Sequence, residues 1–179
     1  MKNKIEKVAV LGAGTMGAQI AGHLANAGIP SCLFDISQEL AENGVGMLTS
    51  LKPAPLYKPK NASLIEACNY DDHLEKIKDV DWIVEAVAEN LDIKHKVYKN
   101  IAQYIKGSAI ISSNTSGIPL GDLTQVMSDD LKSRFLITHF FNPPRYMRLL
   151  ELVKGPDTAD DIYNDMSIFG EDILGKGIV

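Results

Sequence analysis

Short apolar runs alternate along this chain with stretches whose apolar positions recur at helical spacing. Val8-Ala9-Val10-Leu11 is the first run and predicts a buried strand, with a helix from Ala18 to Ala27 behind it. Ser31-Cys32-Leu33-Phe34 is the second and ends at Asp35. A helix is predicted from Ser37, whose side chain can cap it, towards Ser50, with Gly44 and Gly46 weakening its second half. Leu51 to Lys60 holds three prolines in ten residues, which rules out a regular helix or central strand and predicts an exposed excursion. Ser63 to Cys68 reads as a short helix leading to a short strand near Cys68-Asn69-Tyr70.

Asp81 to Val87 predicts a buried strand, and Asn90 can cap a helix in which Ile93, Val97, Ile101 and Ile105 form one apolar face, ended by Gly107. Ser108 to Ser113 is apolar enough to be covered on both faces. Helical turns over Pro119–Val126 lead to a strand at Arg134–His139, and a double-proline turn leads to another at Leu149–Val153. Asp160 to Ile173 is helical with an interruption at Gly170. Gly175–Val179 looks like the start of a strand, and on that ground the chain is expected to be a piece of a longer protein. Strands alternating with helices of these lengths predict an α/β, Rossmann-like, doubly wound and mostly parallel sheet flanked by helices, with 1–179 as one domain.

Composition narrows the partners. The 179 residues, 45% of them hydrophobic, suffice for one domain that buries roughly 70% of its unfolded surface. The net charge is −5 and no basic stripe appears, so nucleic acid is not an expected partner. No run approaches ~18 apolar residues, so no membrane span is expected. Lys2, Lys4 and Lys7 form a solvated entry that gives way to a glycine turn, unlike a signal peptide. Cys32 and Cys68 have neither metal spacing nor a CxxC pair; they read as buried reduced thiols, which points to the cytoplasm and to no metal site.

The candidate chemistry begins where the first strand stops, at Gly12-Ala13-Gly14-Thr15-Met16-Gly17. In this pattern Gly12 permits the tight turn, Gly14 lets backbone approach a pyrophosphate, and Gly17 lets the helix pack closely. The helix start then offers unpaired N–H groups to the anion. Asp35 lies 18 residues past Gly17, where an acid meets the ribose hydroxyls and repels a 2′-phosphate, so NAD is expected rather than NADP.

Three further polar clusters fall at predicted carboxyl ends of strands, where open parallel sheets bind ligands: Glu85–Glu89, Ser113–Ser116 and His139–Pro144. His139 closes an apolar strand, and its imidazole suits acceptance of a hydroxyl proton while hydride leaves the same carbon. Glu151, in the next strand, can reach the other ring nitrogen and fix the tautomer. Ser116 and Asn142 are nearby groups able to hold a substrate oxygen, although such residues also serve as turn caps. His23, His73 and His95 lie in predicted helices and are assigned structural roles.

The glycine turn, Glu85-Ala86-Val87-Ala88-Glu89-Asn90, Ser113-Asn114-Thr115-Ser116, His139-Phe140-Phe141-Asn142-Pro143-Pro144 and Glu151-Leu152-Val153 together resemble the NAD-binding domain of the 3-hydroxyacyl-CoA dehydrogenases of β-oxidation. The resemblance implies oxidation of (S)-3-hydroxyacyl-CoA by NAD⁺, with His139 as general base, Glu151 as its partner, Ser116 on the 3-hydroxyl and Asn142 positioning substrate. It also implies that Asp35, Glu89, Lys94 and Ser116 line the dinucleotide site. It implies as well a helical C-terminal domain, outside this chain, that closes the cleft and makes the complete protein a homo-oligomer. The proline-broken Lys52–Lys60 stretch departs from the lysine-rich helical pair of the stand-alone enzymes and looks more like the multi-module members. Lys52, Lys58 and Lys60 there either meet CoA phosphates or lie in a solvated loop.

Two alternatives remain at this level. One is an NAD-binding module without turnover, which would not need the His139–Glu151 pair. The other is a β-hydroxyacid dehydrogenase acting without CoA, which usually transfers the proton through a lysine at the rim.

Overall fold

The computed structural model describes residues 4–179, so Lys2 lies outside the described residues. Eight strands, β1 (Val8–Leu11), β2 (Ser31–Asp35), β3 (Ile65–Asn69), β4 (Trp82–Glu85), β5 (Ile110–Ser113), β6 (Phe135–Phe140), β7 (Leu149–Lys154) and β8 (Gly177–Ile178), form one sheet in the order β3-β2-β1-β4-β5-β6-β7-β8. All neighbours are parallel except β6 and β7, which are antiparallel. The expected Rossmann-like doubly wound sheet is therefore present.

The period-two alternation of β1 explains the layers. Val8 and Val10 point into a core shared with Ile20 and Leu24 of α1 (Thr15–Asn26) and Met166 of α6 (Asp160–Ile168). Ala9 and Leu11 point into the opposite core, with Tyr98 and Ile101 of α3 (Leu91–Ile101) and Leu123 of α4 (Leu120–Leu123). Two covered faces demand a strand without polar residues, and all four residues of β1 are fully buried. The other helices are α2 (Gln38–Met47) and the short α5 (Asp129–Ser133). Ser37 caps α2 by accepting from Leu40 N at 3.2 Å, and Asn90 caps α3 by accepting from Ile93 N at 3.1 Å.

Several expectations need correction. The helix expected over Ser63–Cys68 ends at Leu64: a 3-10 segment over Pro59–Leu64 feeds β3, because Ile65–Asn69 pairs along the whole of β2 and that ladder outweighs local preference. α3 stops at Ile101 and tightens into a 3-10 turn over Ala102–Tyr104 before Gly107. Ile93, expected in its buried face, is exposed. α1 starts at Thr15, inside the glycine motif. The α6 region changes at Phe169–Ile173 to a wider π-type turn, while the strand expected within Gly175–Val179 is present as β8, paired with β7. His73 precedes a 3-10 segment at Leu74–Asp79 rather than lying in a helix.

The proline-rich stretch is docked rather than free. Arg145 donates to Ala54 O at 2.6 Å and Leu56 O at 2.9 Å, with its guanidinium 4.5 Å from the Tyr57 ring. Lys52, Lys58 and Lys60 remain exposed. Among the described residues no helix is long and apolar enough to cross a membrane.

Candidate active site

The carboxyl ends of β1, β4, β5 and β6 open on a cleft of about 460 Å³, lined by Gly14, Thr15, Met16, Ala86–Glu89, Lys94, Asn114, Ser116 and His139–Asn142. A second hollow of about 290 Å³ adjoins it, lined by Asp35, Ile36, Tyr70, Ile93 and Val97 among others. Gly14 and Ala86–Ala88 border both, so the two form one extended groove.

The glycine turn sits between them. Gly12 has φ 104°, and a Cβ there would meet Ala86 O at 2.7 Å. At Gly17 a Cβ would lie 1.8 Å from Gly12 O, so α1 can pack on its own turn only without a side chain. A Cβ at Gly14 would meet no protein atom within 4 Å, leaving the space over that peptide open to the groove. No side chain caps α1 and no acidic residue lies in its first turn, so its N–H groups and the positive end of its dipole face the groove unneutralised. This is the chemistry of a pyrophosphate cradle.

Asp35, at the end of β2, accepts from Ala13 N at 2.8 Å through Oδ2 and from Ile36 N at 2.7 Å through Oδ1. The aspartate thus braces the glycine turn while its carboxylate borders the second hollow. The apolar walls at Ile36, Ile93 and Val97 offer a flat aromatic base a dry slot beside that acid. Spacing, anion cradle and terminal acid all fit a dinucleotide lying along the groove.

Glu85 and Lys94 are buried with Nζ 2.6 Å from Oε1. The other donors to the Glu85 carboxylate are Val87 N at 2.8 Å, Tyr98 OH at 2.8 Å and Ser113 OH at 2.6 Å. A carboxylate so fully paired can remain in the interior. Lys94 also reaches Glu89 Oε2 at 3.3 Å. Although burial would raise the Glu89 carboxyl, the Thr115 hydroxyl, Lys94 and the Gly117 N–H hold it below the usual carboxylate range. Glu89 also accepts from Ser116 N at 3.1 Å, which fixes the turn carrying Ser116 while leaving that residue exposed at the cleft.

His139 and Glu151 are register partners across β6 and β7, with Nδ1 2.6 Å from Oε2. Nδ1 is therefore committed to the acid, and Nε2 is the ring nitrogen left for the cleft that His139 lines. The Phe141 ring packs at 4.8 Å from the imidazole. Asn142 Oδ1 accepts from Gln19 Nε2 at 3.2 Å, and Asn114 Oδ1 accepts from Phe140 N at 2.8 Å, tying the β5 and β6 ends together.

The predicted site residues border this groove, except Glu151, which supports His139, and Gly17, which is buried beneath the turn where α1 packs on it. The other histidines lie elsewhere: His23 Nε2 meets Leu174 O at 3.1 Å, His73 Nδ1 accepts from Asn69 N at 3.2 Å, and His95 Nε2 meets Asp122 O at 2.8 Å. Sequence reasoning missed the supporting roles of Glu85, Asn114 and Gln19. An acid closing the apolar run Trp82-Ile83-Val84 was a usable signal for Glu85. Lys94, expected along the dinucleotide site, does line the cleft and is held between two carboxylates, while His139 holds the position at the end of β6.

A family model described as 3-hydroxyacyl-CoA dehydrogenase, NAD binding domain, matches residues 7–179. A probable 3-hydroxyacyl-CoA dehydrogenase of Deinococcus radiodurans is 46% identical over 183 residues, covering 98% of this chain and 53% of that protein. One of Bacillus subtilis is 43% identical over 200 residues, covering 100% of this chain and 25% of that protein. The crystal structure of an (S)-3-hydroxybutyryl-CoA dehydrogenase from Ralstonia eutropha has a TM-score of 0.86 at 32% identity, covering 98% of this chain and 63% of that one. The chain spans about half or less of the length of the two curated relatives. A match over nearly every residue, on a sheet whose rim has the groove such a cofactor requires, leaves one assignment: the chain belongs to the 3-hydroxyacyl-CoA dehydrogenase family, as its NAD-binding domain.

Proposed function

We propose that this chain is the cofactor-binding and proton-transfer part of an enzyme that oxidises (S)-3-hydroxyacyl-CoA to 3-ketoacyl-CoA in fatty acid β-oxidation. The observation that carries the reading is the His139–Glu151 pair, 2.6 Å apart and opening on the cleft that receives the N-terminus of α1. Bound NAD⁺ supplies the acceptor for the hydride that leaves C3 of the substrate. The turn at Gly12, Gly14, Thr15 and Met16 would hold the pyrophosphate, with Gly17 letting α1 pack close beneath it; Asp35 would hold the adenosine ribose, and Glu89, Lys94 and Ser116 the other end of the dinucleotide.

His139 Nε2 takes the 3-hydroxyl proton as the C3–H bond breaks, and the C3–O bond becomes a carbonyl. Glu151 holds the Nδ1 proton, so Nε2 is the accepting nitrogen of the neutral ring, and the carboxylate charge then stabilises the imidazolium. Ser116 orients the hydroxyl. Asn142, anchored by Gln19, positions the substrate beside it.

The relatives' greater length supports a further domain in the complete protein; the family resemblance implies that this domain closes the cleft and makes the protein a homo-oligomer. The two free cysteines support a cytoplasmic location. The test uses the longer protein that contains this domain, mixed with acetoacetyl-CoA and NADH. Loss of NADH absorbance that disappears in His139→Gln supports the reading. Saturable NADH binding without oxidation would leave a binding module instead.

A further inference from the structure

Cys32 and Cys68 stand 36 residues apart, yet the register of β2 and β3 brings them together. Cys32 pairs with Glu66, and Phe34 with Cys68. Side chains alternate across a sheet, so Cys32, Glu66 and Cys68 share one face at its edge. The two sulfurs and a Glu66 carboxylate oxygen lie within 4.8 Å of one another, the one such grouping of three ligand residues among the described residues.

We propose that these three residues form a binding site for a thiophilic divalent cation of the zinc class. The proposal stands apart from the NAD groove and does not rest on the reading of its function. Tetrahedral zinc takes sulfur at ~2.3 Å and carboxylate oxygen at ~2.0–2.2 Å, which sets neighbouring ligand atoms roughly 3.3–3.8 Å apart. The observed spacing reaches that range by side-chain rotation of about an ångström, without moving either strand. Two thiolates select a soft cation over Mg²⁺ or Ca²⁺.

The surroundings suit such a site. Lys76 donates to Glu66 Oε1, and the other oxygen, Oε2, faces Cys32 Sγ at 3.9 Å. The lysine therefore orients the carboxylate and leaves one oxygen turned towards the thiols. A surface hollow of about 450 Å³, lined by Lys7, Ser31, Cys32 and Glu66, provides an entry path and room for a water as fourth ligand. The hydrogen bond the thiols share lowers Cys32, with help from Lys7 and Lys76, and together with burial raises Cys68, so the second proton leaves only as the cation arrives. Binding releases both thiol protons to solvent. The −3 charge of two thiolates and a carboxylate meets +2 from the cation, with Lys7 and Lys76 nearby.

The site would strap the edge strand beneath the second hollow, since Asp35 and Tyr70 lie three and two residues beyond Cys32 and Cys68. Cd²⁺ is the direct probe, titrated into the chain under a thiol-free reductant. A cadmium–thiolate charge-transfer band saturating at one equivalent, displaced by Zn²⁺, is the expected result. Cys32→Ser and Cys68→Ser should abolish it. Glu66→Gln alters an exposed carboxylate and preserves the fold, and it should weaken binding by at least the roughly tenfold that losing even an outer partner costs. No band at stoichiometric Cd²⁺ overturns the site. A band with unchanged affinity in both Cys68→Ser and Glu66→Gln also overturns it.

Discussion

His139 Nδ1 lies 2.6 Å from Glu151 Oε2 because the two residues face each other directly in an antiparallel ladder. Directly opposed side chains are held by backbone hydrogen bonds on both flanks, so the imidazole is oriented before any ligand arrives. Preorganisation of this kind keeps a base in one tautomer and spares the reaction a reorganisation step.

In the longer enzyme, His139→Gln and Glu151→Gln should each lower kcat by about 10²–10⁴-fold. NAD affinity, read by fluorescence titration, should change less than roughly threefold, because neither residue lies at the cradle; a factor of that size is under 1 kcal/mol. Near-normal turnover in both variants would remove the pair from the mechanism.

Asp35→Asn should retain the bracing contact with Ala13 N, since an amide oxygen also accepts, while removing the negative charge. NAD binding should weaken by about tenfold and the preference over NADP should shrink, as measured by paired Kd values. An unchanged NAD-to-NADP ratio would assign the discrimination to another residue.

The Glu85–Lys94 pair lends itself to a double-mutant cycle. Both side chains are buried, so Lys94→Met leaves a carboxylate without its cation and should cost about 3–5 kcal/mol in urea unfolding. Glu85→Gln with Lys94→Met should recover part of that loss. Additive losses would mean that the two charges do not depend on each other.

Burial, reinforced by the Lys176 ammonium, pushes the His23 imidazole down to about 4 from an ordinary 6.5, against the hydrogen bond to Leu174 O. The unfolded chain therefore binds more protons than the native one between those values. Stability should fall as pH drops from 6.5 towards 4, by an amount on the order of 3 kcal/mol for this group. His23→Gln should flatten that part of the unfolding free energy against pH; an unaltered slope would place the proton uptake elsewhere.

What could be read in advance was local in the chain. The glycine turn, its flanking strand and helix, and Asp35 fall within 35 residues, and each signal sits beside the element it governs. His139 and Glu151 were legible because successive strands bring residues 12 apart into reach. β3 was misread because its identity depends on β2, more than 30 residues earlier. Ile93 was misread for a different reason. Periodicity treats every apolar residue as core, and an apolar ligand slot is written in the same residues. The Lys94 network and the approach of Cys32 to Cys68 needed the register of whole strands, which no motif records.

The reversal of chain direction between β6 and β7 has a consequence for tolerance to change. Only one alignment sets Glu151 opposite His139; sliding β7 by a single position would bring Leu150 or Leu152 there and send the acid to the far side. The hairpin connection at 141–148 sets that alignment. An insertion or deletion there that shifted β7 by one position would part the proposed proton-transfer pair without changing either of its residues.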